Sequence, residues 1–155
     1  ITIDDKVIGK DVDFPESMGM IIERPGFLPN MSGFRNLKLL AGIQGKITDA
    51  EIRNTILRVG LDPDSKKAAG KYSLGMKQRL GIAQAIMENP DILILDEPFN
   101  GLDKKGVREI RSLIMDLKKE GKTILLTSHN NEDICVLADV VWEMDGGFLK
   151  AGVSK

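Results

Sequence analysis

Apolar and polar positions along this chain sort into short strands and amphipathic helices. Residues 1–10 (Ile-Thr-Ile-Asp-Asp-Lys-Val-Ile-Gly-Lys) alternate and break at Asp4-Asp5, which predicts a small β-hairpin. A second short strand is predicted over 18–22. The turn formers Pro25, Gly26, Pro29 and Asn30 follow, and Ser32 is placed to cap a helix over 33 to about 41 with Phe34, Leu37, Leu40 and Ala41 as its apolar stripe. Thr48 with Glu51 three residues on predicts a capping box for the next helix, whose inner face is Ile52, Ile56, Leu57 and Val59. After the polar loop 62–71, residues 72–79 lead into a helix. There Leu80, Ala83 and Met87 share one face while Ile82, Ala85 and Ile86 occupy another, so cover on more than one side is expected. Asn89-Pro90 ends it.

The run Ile92-Leu93-Ile94-Leu95 has no polar alternation before Asp96, which predicts a strand buried on both faces and therefore inside a sheet with helical cover. Pro98 blocks extension and Asn100-Gly101 supplies a turn. Asp103 is placed to cap a helix with Val107, Ile110, Leu113, Ile114 and Leu117 on one broad stripe and Lys104, Lys105, Arg108, Glu109 and Arg111 on the wet side, up to the stop at Gly121. Residues 123–127 predict a further buried strand whose edge carries Ser128-His129. Asn131 is expected to cap a helix over 132–137, followed by strands at 139–144 and near 148–150 joined by Asp145-Gly146-Gly147. Strand, helix, strand, helix, strand implies right-handed parallel crossovers. The fold class is α/β, a mostly parallel sheet with flanking helices and an α-helical subdomain. Residues 1–23 are read as hairpin and strand of the core, 24–88 as helical subdomain, and 89–155 as the rest of the core.

Composition narrows the function. The 155 residues are 42% apolar with a net charge of -1, and five Phe, one Tyr and one Trp leave few stacking platforms, so nothing argues for a nucleic-acid partner. No stretch approaches the length that crosses a bilayer. The single Cys135, among Ile134, Val136 and Leu137, is expected to be a buried small hydrophobe.

The chemistry lies at the ends of two strands. Adjacent carboxylates facing one crevice repel and call for a cation. If the strands ending at Asp96-Glu97 and at Thr127-Ser128 lie side by side, His129 reaches the same edge. Asp96 would then hold Mg²⁺ through water, Glu97 would polarise an attacking water, and His129 would contact a γ-phosphate.

With those residues in place, the chain resembles the nucleotide-binding domain of ATP-binding cassette transporters, a P-loop NTPase-like fold. Leu93-Ile94-Leu95-Asp96-Glu97-Pro98 matches the Walker B strand with its catalytic glutamate, Asn100-Gly101-Leu102-Asp103 the loop that crosses the dimer interface, and Thr127-Ser128-His129 the switch histidine region. Residues 72–79 (Tyr-Ser-Leu-Gly-Met-Lys-Gln-Arg) lie where the family carries its LSGGQ signature, and Met20-Ile21-Ile22-Glu23 where it carries the loop coupling the γ-phosphate to the helical subdomain. The resemblance implies ATP and Mg²⁺ as ligands, with Ser73, Gly75, Glu23 and Asp103 at the nucleotide and Glu23 beside Asp96 at the metal. It also implies a second nucleotide-binding domain in a head-to-tail ATP sandwich, a transmembrane permease, and a peripheral place on the cytoplasmic face of the membrane. The text Glu23-Arg24-Pro25-Gly26-Phe27-Leu28-Pro29-Asn30-Met31-Ser32-Gly33 resembles the branch that handles bacitracin, lantibiotics and other antimicrobial peptides, where glutamate often replaces the usual glutamine, as at Glu23.

Two departures shape the expectation. The family pattern has Gly at Leu74 and Gln at Met76, which predicts lower turnover or a partner with a fuller signature. No G-x-x-x-x-G-K-[ST] phosphate loop occurs within the 155 residues. The chain, which opens at Ile1, is therefore expected to be an N-terminally truncated cassette, inactive by itself, from a parent that hydrolyses ATP. The alternatives are a non-transport ATPase of the same superfamily and a catalytically silent regulatory module.

Overall fold

The computed structural model describes residues 1–3, 5–15, 17–22 and 25–154. Its elements in chain order are β1 (Thr2–Ile3), β2 (Lys6–Val7), β3 (Met18–Ile21), α1 (Gly33–Gln44), α2 (Asp49–Arg58), a 3-10 turn (Ala69–Lys71), α3 (Leu74–Ile86), β4 (Ile92–Asp96), α4 (Lys104–Lys119), β5 (Thr123–Thr127), α5 (Asn131–Leu137), β6 (Val140–Asp145) and β7 (Phe148–Ser154). β1 and β2 form the expected antiparallel hairpin.

The central sheet is parallel, in the order β3-β4-β5, with Met18 opposite Ile92 and Asp96 opposite Thr127. β4 is the middle strand, as its apolar run requires. Leu93 and Leu95 are 1% exposed, but Ile92 and Ile94 on the other face are only half-buried, so the expectation of full burial on both faces holds for one face alone. The expectation of a buried strand over 123–127 is also corrected. Leu125 is 61% exposed, because it stands on the same face of the sheet as its register partner Ile94, the face with less cover, and the residues of β5 alternate between exposed and half-buried. β6 does not continue the parallel series. It pairs antiparallel with β7 across Asp145-Gly146-Gly147, where both glycines take positive φ (55° and 84°) as a two-residue hairpin loop of this hand demands.

Caps set the helix starts. Ser32 accepts from the Arg35 amide at 3.3 Å, and Thr48 and Glu51 complete the capping box, with the Thr48 amide 2.7 Å from Glu51 Oε2. Leu37, Ala41, Ile52, Ile56 and Val59 turn inward and join a single core with Leu80, Ile82, Leu93, Leu95 and the α4 stripe Ile110, Leu113, Ile114 and Leu117. Each large aliphatic side chain so buried contributes roughly 2 kcal/mol. Leu57, expected inside, is 58% exposed: it directly follows the buried Ile56, and a step of one residue round the helix carries it off the inner face. α3 is covered on several sides, with Leu80, Ile82, Ala83, Ala85 and Ile86 all buried.

The helix at 131–137 starts one residue earlier than expected, because Asn130 rather than Asn131 caps it through the Glu132 amide at 2.9 Å. Cys135 is exposed, since this seven-residue helix turns Asp133 and Leu137 inward. Among the described residues no helix is long and apolar enough to cross a membrane.

Candidate active site

The register that sets Asp96 against Thr127 builds the site. The Thr127 hydroxyl donates to Asp96 Oδ1 at 2.5 Å and accepts the Glu97 amide at 3.0 Å. One side chain thus orients both acidic residues. Glu97 leaves the strand at φ 45°, a left-handed conformation that costs a non-glycine residue on the order of 1 kcal/mol and persists only where its surroundings hold it. Its carbonyl accepts from the Asn100 amide at 3.1 Å and from Gln78 Nε2 at 3.3 Å. The kink turns the carboxylate toward His129, whose Nδ1 lies 2.8 Å from Glu97 Oε1.

The Glu97 hydrogen bond, and after it the Glu97 charge, hold the His129 pKa above the ordinary imidazole range, with a small further contribution from the Asp133 charge and slight opposition from desolvation. The His129 side chain is 78% exposed, so water screens the pair and its effect on stability is small. Because the pKa is raised in the fold, that small contribution is fully present below the ordinary value of about 6.5 and is lost as pH rises through the raised one. We expect Glu97→Gln to lower the His129 pKa back toward the ordinary value in an NMR titration. An unchanged titration would contradict the pairing.

A second layer holds His129 in place. Ser128 Oγ donates to Asp133 Oδ2 at 3.0 Å and accepts the Asn130 amide at 3.1 Å. Asp133, 2% exposed, takes the Arg111 guanidinium through Nε at 2.6 Å and Nη2 at 2.5 Å. Arg111, expected on the wet face of α4, is instead only 13% exposed, because it folds back over α5 to satisfy this buried carboxylate and also meets Glu132 at 3.0 Å.

Ser73, Gly75 and Asp103 gather in a neighbouring cluster at the N-termini of α3 and α4. The Ser73 hydroxyl caps α3 through the Met76 amide at 3.2 Å, and Asp103 caps α4 through the Gly106 amide at 2.7 Å. A Cβ on Gly75 would come 2.8 Å from the Gly101 carbonyl oxygen, so this helix start and the loop after β4 touch backbone to backbone. Leu74, which stands where a glycine was expected, lays its side chain over Gly101: a Cβ there would sit 2.4 Å from Leu74 Cγ. The leucine thus packs in part on its own chain, although it remains 51% exposed. Gly101→Ala is expected to cost roughly 1 to 2 kcal/mol, partly from this clash and partly from φ +75°. Leu74→Ala should recover the clash portion in a double-mutant unfolding cycle, and strict additivity would contradict the contact. Glu23 lies outside the described residues.

Among the described residues no three His, Cys, Asp or Glu side chains converge as a metal cage. The Glu97 carboxylate is engaged by His129 and the Thr127 hydroxyl by Asp96, which leaves Asp96 as the hard oxygen donor that suits Mg²⁺, an ion that keeps several waters and takes one or two carboxylates plus substrate phosphates. Asp96 therefore fits a Mg²⁺ ion delivered with a nucleotide. Thr127, Gln78, Ser128, Asp133 and Arg111 were not singled out as site residues by the sequence. Thr127 and Ser128 carried a signal, a run of hydroxyls at the end of a strand beside the acidic one, and Gln78 only its place in the run 72–79.

The sequence profile of the family described as ABC transporter matches residues 1–100. The chain is 48% identical over 150 residues to the uncharacterized ABC transporter ATP-binding protein YybJ of Bacillus subtilis, covering 97% of this chain and 69% of that protein. It is 47% identical over 133 residues to the bacitracin transport ATP-binding protein BcrA of Enterococcus faecalis, covering 85% of this chain and 43% of that one. Other similar proteins are named for lantibiotic transport and fluoroquinolone export, so the likeness spans several kinds of cassette and no single branch. In three dimensions the chain superposes on the ATP-binding cassette MJ0796, solved as a dimer in a post-hydrolysis state bound to ADP and Pi. The TM-score is 0.84 at 18% identity, over 99% of this chain and 72% of that one. The likeness shows an α/β fold of the P-loop NTPase kind with a largely parallel sheet flanked by helices.

Proposed function

The chain belongs to the ABC transporter family, and from that premise we propose that the protein of which it forms part hydrolyses MgATP to drive a membrane transporter. The reading rests above all on the 2.8 Å contact of Glu97 with His129 beside Asp96, at the carboxyl edge of a parallel sheet where such folds bind ligands. Glu97 orients and deprotonates the attacking water. His129, whose pKa the Glu97 pairing raises, contacts the γ-phosphate through the ring nitrogen that faces away from Glu97. Asp96, with one oxygen fixed by Thr127, would hold the cation through the other. Mg²⁺ bound there would neutralise charge on the phosphate oxygens. Ser73 and Gly75 at the start of α3, with Asp103 at the start of α4, face the nucleotide of a second nucleotide-binding domain in a head-to-tail pair. Glu23 contacts nucleotide and metal in the same scheme.

The partner is a permease, and the protein sits on the cytoplasmic face of the membrane. The helical subdomain is the docking surface, where Phe27, Leu28, Met31 and Phe34 would line a groove for a short permease helix. The cargo is a peptide antibiotic or similar compound, supported by the names of the bacitracin and lantibiotic relatives. Leu74 and Met76 favour a second reading, a silent regulatory module.

Steady-state hydrolysis by the full-length protein decides between the two. Turnover of MgATP supports the enzyme, while nucleotide binding with no turnover supports the silent module. The 155 residues alone, lacking the phosphate-loop motif, are expected to bind MgATP no tighter than about millimolar, and a low-micromolar calorimetric titration would contradict this.

A further inference from the structure

We propose that Gln78 is a positioning residue for the reaction, holding the backbone of Glu97 in its left-handed conformation and thereby fixing where the Glu97 carboxylate points. The inference rests on the hydrolytic reading above and adds a residue to it.

Gln78 lies in the second turn of α3 and is 5% exposed, a burial that a neutral amide tolerates only when hydrogen-bonded. Its Nε2 donates to the Glu97 carbonyl at 3.3 Å. That carbonyl already accepts the Asn100 amide at 3.1 Å, so the amide of Gln78 is not needed to satisfy it. What the second donor adds is direction: with the Thr127 hydroxyl on the Glu97 amide and Gln78 on its carbonyl, both ends of the residue at φ 45° are gripped from outside the loop. A residue in this region relaxes unless it is over-determined in this way.

The grip has a mechanical consequence. Leu74, Gly75 and Gln78 fall on one side of α3, three and four residues apart, and touch the loop after β4 at Gly101 and at Glu97. Arg79 anchors the neighbouring side through the Val59 carbonyl at 2.6 Å and Glu109 at 2.7 Å. The start of α3 and the Glu97 carboxylate therefore move as one body. A displacement of Ser73 is carried to Glu97 along a single turn of helix.

The test uses the full-length protein with Gln78→Met, which keeps the length of the side chain and removes the donor, and Gln78→Ala as a second variant. We expect kcat to fall about 10- to 100-fold in both, with KM for MgATP within about twofold and the unfolding midpoint nearly unchanged for Gln78→Met. Added to Glu97→Gln, neither variant should reduce the residual rate further. At one fixed pH, the imidazole ¹⁵N shifts of His129, assigned by their loss in His129→Ala, should move in Gln78→Met as Glu97 withdraws. Unchanged kcat and unchanged shifts would overturn the proposal. So would a loss of kcat that tracks lost folding or recurs at full size in Glu97→Gln. If the wild-type protein hydrolyses no ATP, the functional reading fails, while the His129 shifts still decide the role of Gln78.

Discussion

Glu97→Gln in the full-length protein is expected to reduce steady-state ATP hydrolysis by at least about 100-fold while leaving MgATP affinity within a few-fold of wild type. The amide keeps the shape of the carboxylate, and the backbone contacts of Glu97 with Thr127, Asn100 and Gln78 do not involve the side chain, so the loop keeps its place. What is lost is the carboxylate proposed to take a proton from water and the charge that raises the His129 pKa. In the proposed scheme Glu97 touches the attacking water rather than the phosphates, so the two parameters should separate. Unchanged hydrolysis, measured with phosphate release at saturating MgATP, would remove Glu97 from the chemistry.

The largest expected effect on stability lies in the packing beneath the site. Gly19, buried in β3, faces α3 so closely that a Cβ would fall 1.9 Å from the Ala85 carbonyl oxygen and 2.9 Å from Pro90 Cγ. The nearest obstacle is helix backbone, which has no rotamer to give way, so Gly19→Ala must part the strand from the helix. We expect a cost of about 3 kcal/mol, a fall in melting temperature on the order of 10 °C. Because α3 also carries Gln78 and caps on Ser73, activity should drop with it. A melting temperature within about 2 °C of wild type would contradict the close approach of β3 and α3.

Much of this arrangement is legible in the sequence where one local rule acts alone. Ser32, Thr48 with Glu51, and Asp103 mark helix starts because each cap needs only the amides three residues ahead. The juxtaposition of Asp96, Glu97 and His129 is legible because two apolar runs of strand length end in polar residues, and adjacent parallel strands bring such ends to one edge. The readings that fail depend on neighbours far along the chain. The apolar side chain of Leu125 gives no sign that its face of the sheet has little cover here. Arg111 reads as solvated by its place on the helix wheel, and only the buried Asp133, twenty-two residues on, draws it inward. Gln78 sits in a signature-like run, but its contact with a carbonyl nineteen residues away depends on how α3 crosses the sheet. Leu74 reads as an obstacle until the bare Gly101 beneath it is seen.

The central claim is that Asp96, Glu97 and His129 act on one phosphoryl group. Its most direct test is a structure of the full-length Glu97→Gln protein loaded with MgATP. Asp96 is expected at the cation, and residue 97 and His129 within hydrogen-bond reach of the terminal phosphate or of the water poised to attack it. Side chains on separate surfaces, away from the terminal phosphorus, would contradict it.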